Sequence, residues 1–316
     1  MKISLVAPPH APLNPVLNMK KTLRSRGGAA GQARWAARPP YPALVTRLYP
    51  VRPEDALALL ADLLSCAPDD LRPLLAQLLA AWSCPGAAGG AGVIALRRTP
   101  RADLEVLGGA RPGPRQAEVA LALLRAASVA GTPLSAYADD ALLPKDVLCT
   151  LGWRRAGQYT EWRGALPTPD APVPAGLRLL PLADVPDLSV RRHAQATYAD
   201  QLGHTLVGDT DLIPGAHGSD DAVGHVALNA SGQGVGVCRA WLAGDTLTVG
   251  SPSVHPALRH TPLRHALLRA TGDAARARGA RRLVMQAWGD TPAETQADAG
   301  LGLDAVTVTP IYLSRS

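Results

Sequence analysis

The sequence predicts an α/β protein built as two tandem copies of one α+β unit, each a mixed sheet flanked by helices. Three observations carry this. The frame Pro112, Arg115, Ala122, Leu123, Leu124, Arg125, Ala126 recurs 144 residues later as Pro256, Arg259, Ala266, Leu267, Leu268, Arg269, Ala270, with every internal spacing kept. A repeat of that kind is a supersecondary unit used twice. Each copy also follows an apolar run (Leu104 to Leu107; Leu247 to Val249) and a Pro-containing turn, then places apolar residues at helical spacing. Gly131 and Gly279 close the two helical stretches, and a second apolar run follows at once, Pro133 to Ala138 and Arg282 to Ala287. Finally, Leu166 to Gly176 (LPTPDAPVPAG) holds four Pro in eleven residues and reads as a semi-stiff linker between domains 45–165 and 177–316.

Along the chain, residues 1 to 44 are rich in Pro, Gly, Ala and Arg without periodicity, which predicts disorder. Val45 to Val51 reads as an edge strand, Ala56 to Leu64 as an apolar helix after Pro53-Glu54-Asp55, and Leu71 to Trp82 as a helix opened by Asp69-Asp70. Ser83 to Gly92 is a Pro/Gly/Ala loop, and Val93 to Leu96 is a strand leading to the first repeat. A short helix near Pro144 and a closing strand from Trp153 to Trp162 end the first half. The order then restarts with strand Leu177 to Leu182, Asp184 as a cap and helix Val190 to Leu202. A Gly- and Asp-rich loop follows, then the meander His225 to Asn229, Val235 to Leu242 and Thr246 to Gly250, turning at Ser231-Gly232 and Gly244-Asp245. After the second repeat come a helix at Ala293 to Ala299 and a strand from Ala305 to Leu313.

Composition narrows the function classes. With 316 residues and 47% hydrophobic content, two domains can each bury a core, and the absence of Phe makes those cores Leu, Val and Ala. Four Lys against abundant Arg, Ala, Pro and Gly is the pattern of a GC-rich bacterial coding bias. The net charge of +6 sits in the tail: residues 1 to 44 carry seven of the 32 basic residues and none of the 26 acidic ones. The folded part is therefore nearly neutral, so no nucleic-acid partner is expected, and a basic arm is the lesser reading of the tail. Cys66, Cys84, Cys149 and Cys238 lack C-x-x-C spacing, so neither a metal site nor a disulfide framework is expected. With no long uncharged apolar stretch and only a four-residue apolar run before Pro8, no membrane span is expected and the compartment is read as cytoplasmic.

The pattern V-x-P-x-x-R, a loop, A-L-L, Gly, strand, short helix and a terminal Gly-aromatic resembles the acetyl-CoA-binding core of the GNAT superfamily of N-acetyltransferases. Val254, Pro256, Arg259 and Ala266-Leu267-Leu268 carry it in the second half. Arg115, Ala122-Leu123-Leu124 and the closing segment Leu151 to Gly157 (LGWRRAG) carry it in the first. The resemblance implies transfer of acetyl from acetyl-CoA to an amine, a small molecule or a peptide. It also implies a cofactor-binding set of Val254, Arg259, His260, Thr261, Leu263 and Arg264 in the second half.

Both copies depart from the family's Arg/Gln-x-x-Gly-x-Gly/Ala phosphate loop. The first has Glu118 and Ala120 at the two small positions, and a carboxylate in the first helical turn repels pyrophosphate. The second has Pro262 and Arg264 there: Thr261 suits an N-cap and Pro262 a first turn, but Pro262 removes an N–H donor. Arg264 opposes the helix dipole unless an anion is near, and its guanidinium could hold a phosphate or simply be solvated. Pro252 lies where the family polarises the acyl carbonyl with a backbone N–H. For proton transfer the second half offers His225, His255, His260, His265, Asp245, Asp290, Glu294 and Tyr312, while Gln296, Ala297 and Asp298 stand where many relatives place a Tyr. No catalytic residue is singled out. The reading is a degenerate first domain and an acyl-CoA-binding second domain, with a non-catalytic binding or scaffold protein as the alternative.

Overall fold

A computed structural model describes residues 47–314, apart from 87–90, 102, 129–130, 140 and 290. The tail expected to be disordered, the start of the first strand and Asp290 lie outside the described residues. The elements are β1 (Tyr49–Val51), α1 (Pro53–Leu64), α2 (Pro68–Leu71), a 3-10 turn (Arg72–Gln77), β2 (Leu78–Cys84), β3 (Gly92–Arg98), β4 (Leu104–Ala110), α3 (Gln116–Ser128), β5 (Leu134–Tyr137), α4 (Lys145–Thr150) and β6 (Arg154–Ala165). After 166–177 come β7 (Arg178–Pro181), α5 (Leu188–Ala196), β8 (His225–Leu228), β9 (Gly234–Cys238), β10 (Ala240–Ala243), β11 (Thr246–Gly250) and β12 (Ser253–Val254). The chain ends through α6 (Leu263–Arg276), β13 (Arg282–Trp288), α7 (Pro292–Ala299) and β14 (Asp304–Leu313).

Contacts divide the chain into two units, and the division departs from sequence order. The N-terminal unit ends at Arg155 but takes in Tyr312 and Ser314, whereas Ala156–Ile311 and Thr99–Arg101 form the C-terminal unit. The Trp153 to Trp162 strand is thus mostly a strand of the C-terminal unit, where Tyr159–Ala165 pairs antiparallel with β13.

In the N-terminal unit the strand order is β1-β2-β3-β4-β5, antiparallel except for β4 and β5. The pleat of β3 sends Ile94 and Leu96 to one face, where Val119, Leu123 and Leu124 of α3 cover them. Val93 and Ala95 point to the other face, under Leu57, Leu60 and Leu64 of α1. Ser314 closes the far edge, its N–H donating to Leu134 O and its Oγ accepting from Leu134 N, both at 2.8 Å.

The expected helix Leu71 to Trp82 is instead a 3-10 turn followed by β2. Pairing on both sides, with β1 and β3, decides the outcome over the helix propensity of a Leu/Ala run.

The C-terminal unit has the same layers. Its sheet is broken at one level, so that β12-β9-β8-β7 and β14-β6-β13-β11-β10 are separate pieces. Leu263, Leu267 and Leu268 of α6 cover Ala227, Cys238, Leu247 and Met285 on one face. Ala194 of α5, with Tyr198, covers Val226, Leu228 and Val237 on the other. Asp187, rather than Asp184, caps α5 by accepting from Ser189 N at 2.7 Å, and α5 ends at Ala196 instead of Leu202. The repeat holds in the hydrogen-bond register too: Gly92 faces Ala110 and Gly236 faces Val254, again 144 residues apart.

Candidate functional site

In the C-terminal unit β11 runs parallel to β13 from Thr246 opposite Arg282 to Gly250 opposite Gln286. One more bond follows, Ser251 N to Gln286 O at 2.7 Å. Pro252 then has no N–H to continue the ladder, and β12 turns away to pair with β9 while β13 runs on to Trp288. Two parallel strands that part in mid-sheet leave backbone groups facing a gap.

Tyr198 stands in that gap. Its hydroxyl donates to Ser251 O at 2.7 Å. Its ring stacks on His204 with centroids 4.4 Å apart, and His204 meets the edge of Trp288 at 6.1 Å. The segment is seated closely: a Cβ on Gly289 would lie 2.7 Å from Leu202 N, at a φ of +71° that already favours glycine.

Burial pushes the Tyr198 phenol above its ordinary range. It also drives His204 down to about 3, so the imidazole is neutral at physiological pH. His204 Nε2, Trp288 Nε1 and Ser253 Oγ are shielded from solvent and have no hydrogen-bond partner among the described residues. Such atoms are few in folded proteins.

Beside the gap lies the turn into α6. Arg259 donates to both oxygens of Asp200 at 2.6 and 2.7 Å, to Val254 O at 3.1 Å and to Thr197 O at 3.3 Å. This hydrogen bond holds the Asp200 carboxyl below its usual range. Arg264 makes a two-pronged ion pair with Asp298 of α7, in which Nη2 lies 2.8 Å from Oδ2, and it also donates to Ser251 Oγ at 2.6 Å. Asp298 is fully buried and Arg264 is 15% exposed.

Of the residues the sequence nominates for the cofactor, Val254 and Leu263 are core residues, and Arg259 and Arg264 are each held by a carboxylate of the chain. The hydroxyl of Thr261 donates back to Leu258 O at 2.6 Å and accepts from Leu263 N at 3.4 Å, a capping contact at the start of α6 just before Pro262. His260 is exposed.

The nominated proton carriers lie elsewhere. His225 is buried, its Nδ1 on Val223 O at 2.8 Å, and burial lowers its pKa. Asp245 pairs with Arg282 and Glu294 caps α7 through Thr291. His255 Nδ1 accepts from Ala257 N, and Tyr312 packs in the core of the N-terminal unit. His265 is half-buried beside Arg264, and burial, then that charge, lower its pKa. The residues that occupy the gap, Tyr198, His204, Ser251 and Trp288, were not among the nominations. They come from four places in the chain, and no spacing in the sequence joins them.

In the N-terminal unit β4 and β5 pair only at Leu104/Leu134 and Glu105/Ser135 before parting. The opening is filled by the Asp139–Leu143 turn. Ala110 N donates to Leu142 O at 2.8 Å, and Gln116 Nε2 ties Ala141 O at 2.9 Å. Arg115 is paired with Glu118 at 2.6 Å on the surface.

No protein-family model and no curated protein sequence matches the chain. Solved structures do. A GCN5-related N-acetyltransferase from Sphaerobacter thermophilus aligns with a TM-score of 0.52 at 16% identity, covering 84% of this chain and 95% of that one. A conserved protein of unknown function from Enterococcus faecalis V583, described as a probable N-acyltransferase, aligns at 0.55 and 8% identity over 84% and 71%. A GCN5-related N-acetyltransferase from Anabaena variabilis ATCC 29413 aligns at 0.51 and 12% over 84% and 72%. The chain has the GNAT fold along most of its length. Identities this low carry the fold and nothing finer. Among the described residues no helix is long and apolar enough to cross a membrane.

Proposed function

We propose that the protein is an acyl-thioester-dependent N-acyltransferase whose one working site is the gap between β11 and β13 of the C-terminal unit. A single observation carries the reading: a buried phenol is bonded to the backbone where two parallel strands part, near three shielded polar atoms that have no partner among the described residues. Buried unpaired polar groups are costly, and they concentrate where a ligand completes them.

Aminolysis of a thioester forms a C–N bond and breaks the C–S bond; the attacking amine gives up a proton, and the departing thiolate takes one up to leave as a thiol. Tyr198, kept protonated by burial, is the group placed to supply the thiolate's proton. Acetyl-CoA is the cosubstrate that the fold suggests. The residues do not fit its diphosphate as they stand, because Pro262 offers no N–H and Arg259 and Arg264 are held by Asp200 and Asp298.

That misfit favours a second reading, a GNAT-fold binding protein without turnover. Thiol release from acetyl-CoA with a panel of small amines and amino-terminal peptides separates the two. Acyl transfer predicts release that falls roughly 100-fold in Tyr198→Phe. No release with any amine, from protein that still binds the thioester, favours the second reading.

A further inference from the structure

Arg264 and Asp298 each stand at the wrong end of a helix. Arg264 lies in the first turn of α6, where the helix dipole is positive, and Asp298 in the last turn of α7, where it is negative. Each opposes its own helix, and the ion pair between them resolves both conflicts. The pair is also wired to the gap. Arg264 donates to Ser251 Oγ, and Ser251 O accepts from Tyr198, so Asp298, Arg264, Ser251 and Tyr198 form one connected run.

We propose that Asp298 is an internal anion that closes the site, occupying Arg264 in the absence of an anionic ligand, and that a ligand's phosphate binds by exchanging with it. This rests on the reading of the C-terminal unit as the acyl-thioester site. Three features favour a latch over a plain structural staple. Asp298 takes both terminal nitrogens of the guanidinium, and Ser251 Oγ shares one of them, so an entering diphosphate meets both Nη atoms occupied until the carboxylate leaves. Asp298 is fully buried, so its release requires α7 to move and expose it. The same exchange loosens the Arg264 contact with Ser251, whose carbonyl holds the Tyr198 hydroxyl. Anion binding and withdrawal of the phenol are thereby one event. A protein whose binding-competent state is a minor one binds with an apparent affinity reduced by that fraction.

The test is calorimetric titration of CoA, and separately of inorganic pyrophosphate, into the full chain and into Asp298→Asn, which keeps the shape and removes the charge. The variant is expected to bind CoA at least about tenfold more tightly than the wild type. Adding Arg264→Gln should abolish the gain. Should Asp298→Asn fold poorly, the wild type alone decides the matter by hydrogen exchange: CoA should accelerate amide exchange across Pro292–Ala299. Equal or weaker binding by Asp298→Asn, with thiol release intact in the wild type, overturns the latch and spares the acyltransferase reading. Absence of both binding and thiol release in wild type and variant overturns both.

Discussion

In the N-terminal unit the gap between the parted strands is closed by a backbone carbonyl, Leu142 O on Ala110 N; in the C-terminal unit it is closed by side chains, Tyr198 in the gap and Asp298 on Arg264. The register at the two places is the same, Gly92 opposite Ala110 and Gly236 opposite Val254, so the same opening has been filled in two ways. A backbone filling is covalently part of the core. Leu142 packs with Leu60, Val93 and Leu107, and it cannot leave without dismantling that cluster. A side-chain filling can rotate away or exchange partners. On the reading proposed above, the difference teaches that the C-terminal half is the one whose opening a ligand can enter.

The comparison breaks most readily at Gly109. A Cβ there would run into the Leu142 carbonyl, 2.3 Å from its oxygen and 2.7 Å from its carbon, and a backbone carbonyl cannot swing aside as a side-chain end can. Gly109→Val should destabilise the N-terminal unit by on the order of 4 kcal/mol or more in denaturant titration. A loss under about 1 kcal/mol would mean that the turn at Asp139–Leu143 moves freely and the closure is not fixed.

A pH series gives the next largest effect, in the C-terminal unit alone. The pKa of His204 is lowered by burial from 6.5 to about 3, so below pH 6.5 the unfolded chain takes up a proton that the folded chain refuses. Stability therefore falls as pH drops through that window, by about 2 kcal/mol at pH 5 at ~1.4 kcal/mol per pH unit. His204→Gln should flatten this slope in thermal melts from pH 7 to 4.5. The Leu142 carbonyl does not titrate, so the closure of the N-terminal unit contributes no such slope.

The smallest effect is expected at Glu118. Its pair with Arg115 is solvent-exposed, and Glu118→Gln should change stability by less than about 0.5 kcal/mol and leave CoA binding unaltered. New CoA binding in that variant would show that charge, rather than the Leu142 turn, closes the first site.

Much of this arrangement was legible in the sequence. The 144-residue repeat locates the strand-to-helix turn in both halves, but the sequence leaves open whether Arg264 at the helix N-terminus meets an anion or is simply solvated, and it points to no source for an anion. The source, Asp298, lies 34 residues away on another helix, and no spacing rule connects the two. Leu78–Cys84 was misread because LLAAWSC has no β-branched residue and keeps the helical period of the run before it; only pairing with β1 and β3 makes it a strand. Tyr198 was hidden inside a predicted helix that stops at Ala196, and its partners His204 and Trp288 are gathered by folding alone.

The claim that one opening is fixed and the other exchangeable is tested most directly by residue-resolved amide hydrogen exchange on the full chain, with and without saturating CoA. The predicted result is a change in exchange at Tyr198–His204, Ser253 and Pro292–Ala299, with Ala110 and Asp139–Leu143 protected equally in both states. A change at Ala110 and Asp139–Leu143, with the C-terminal segments unaffected, would contradict the account.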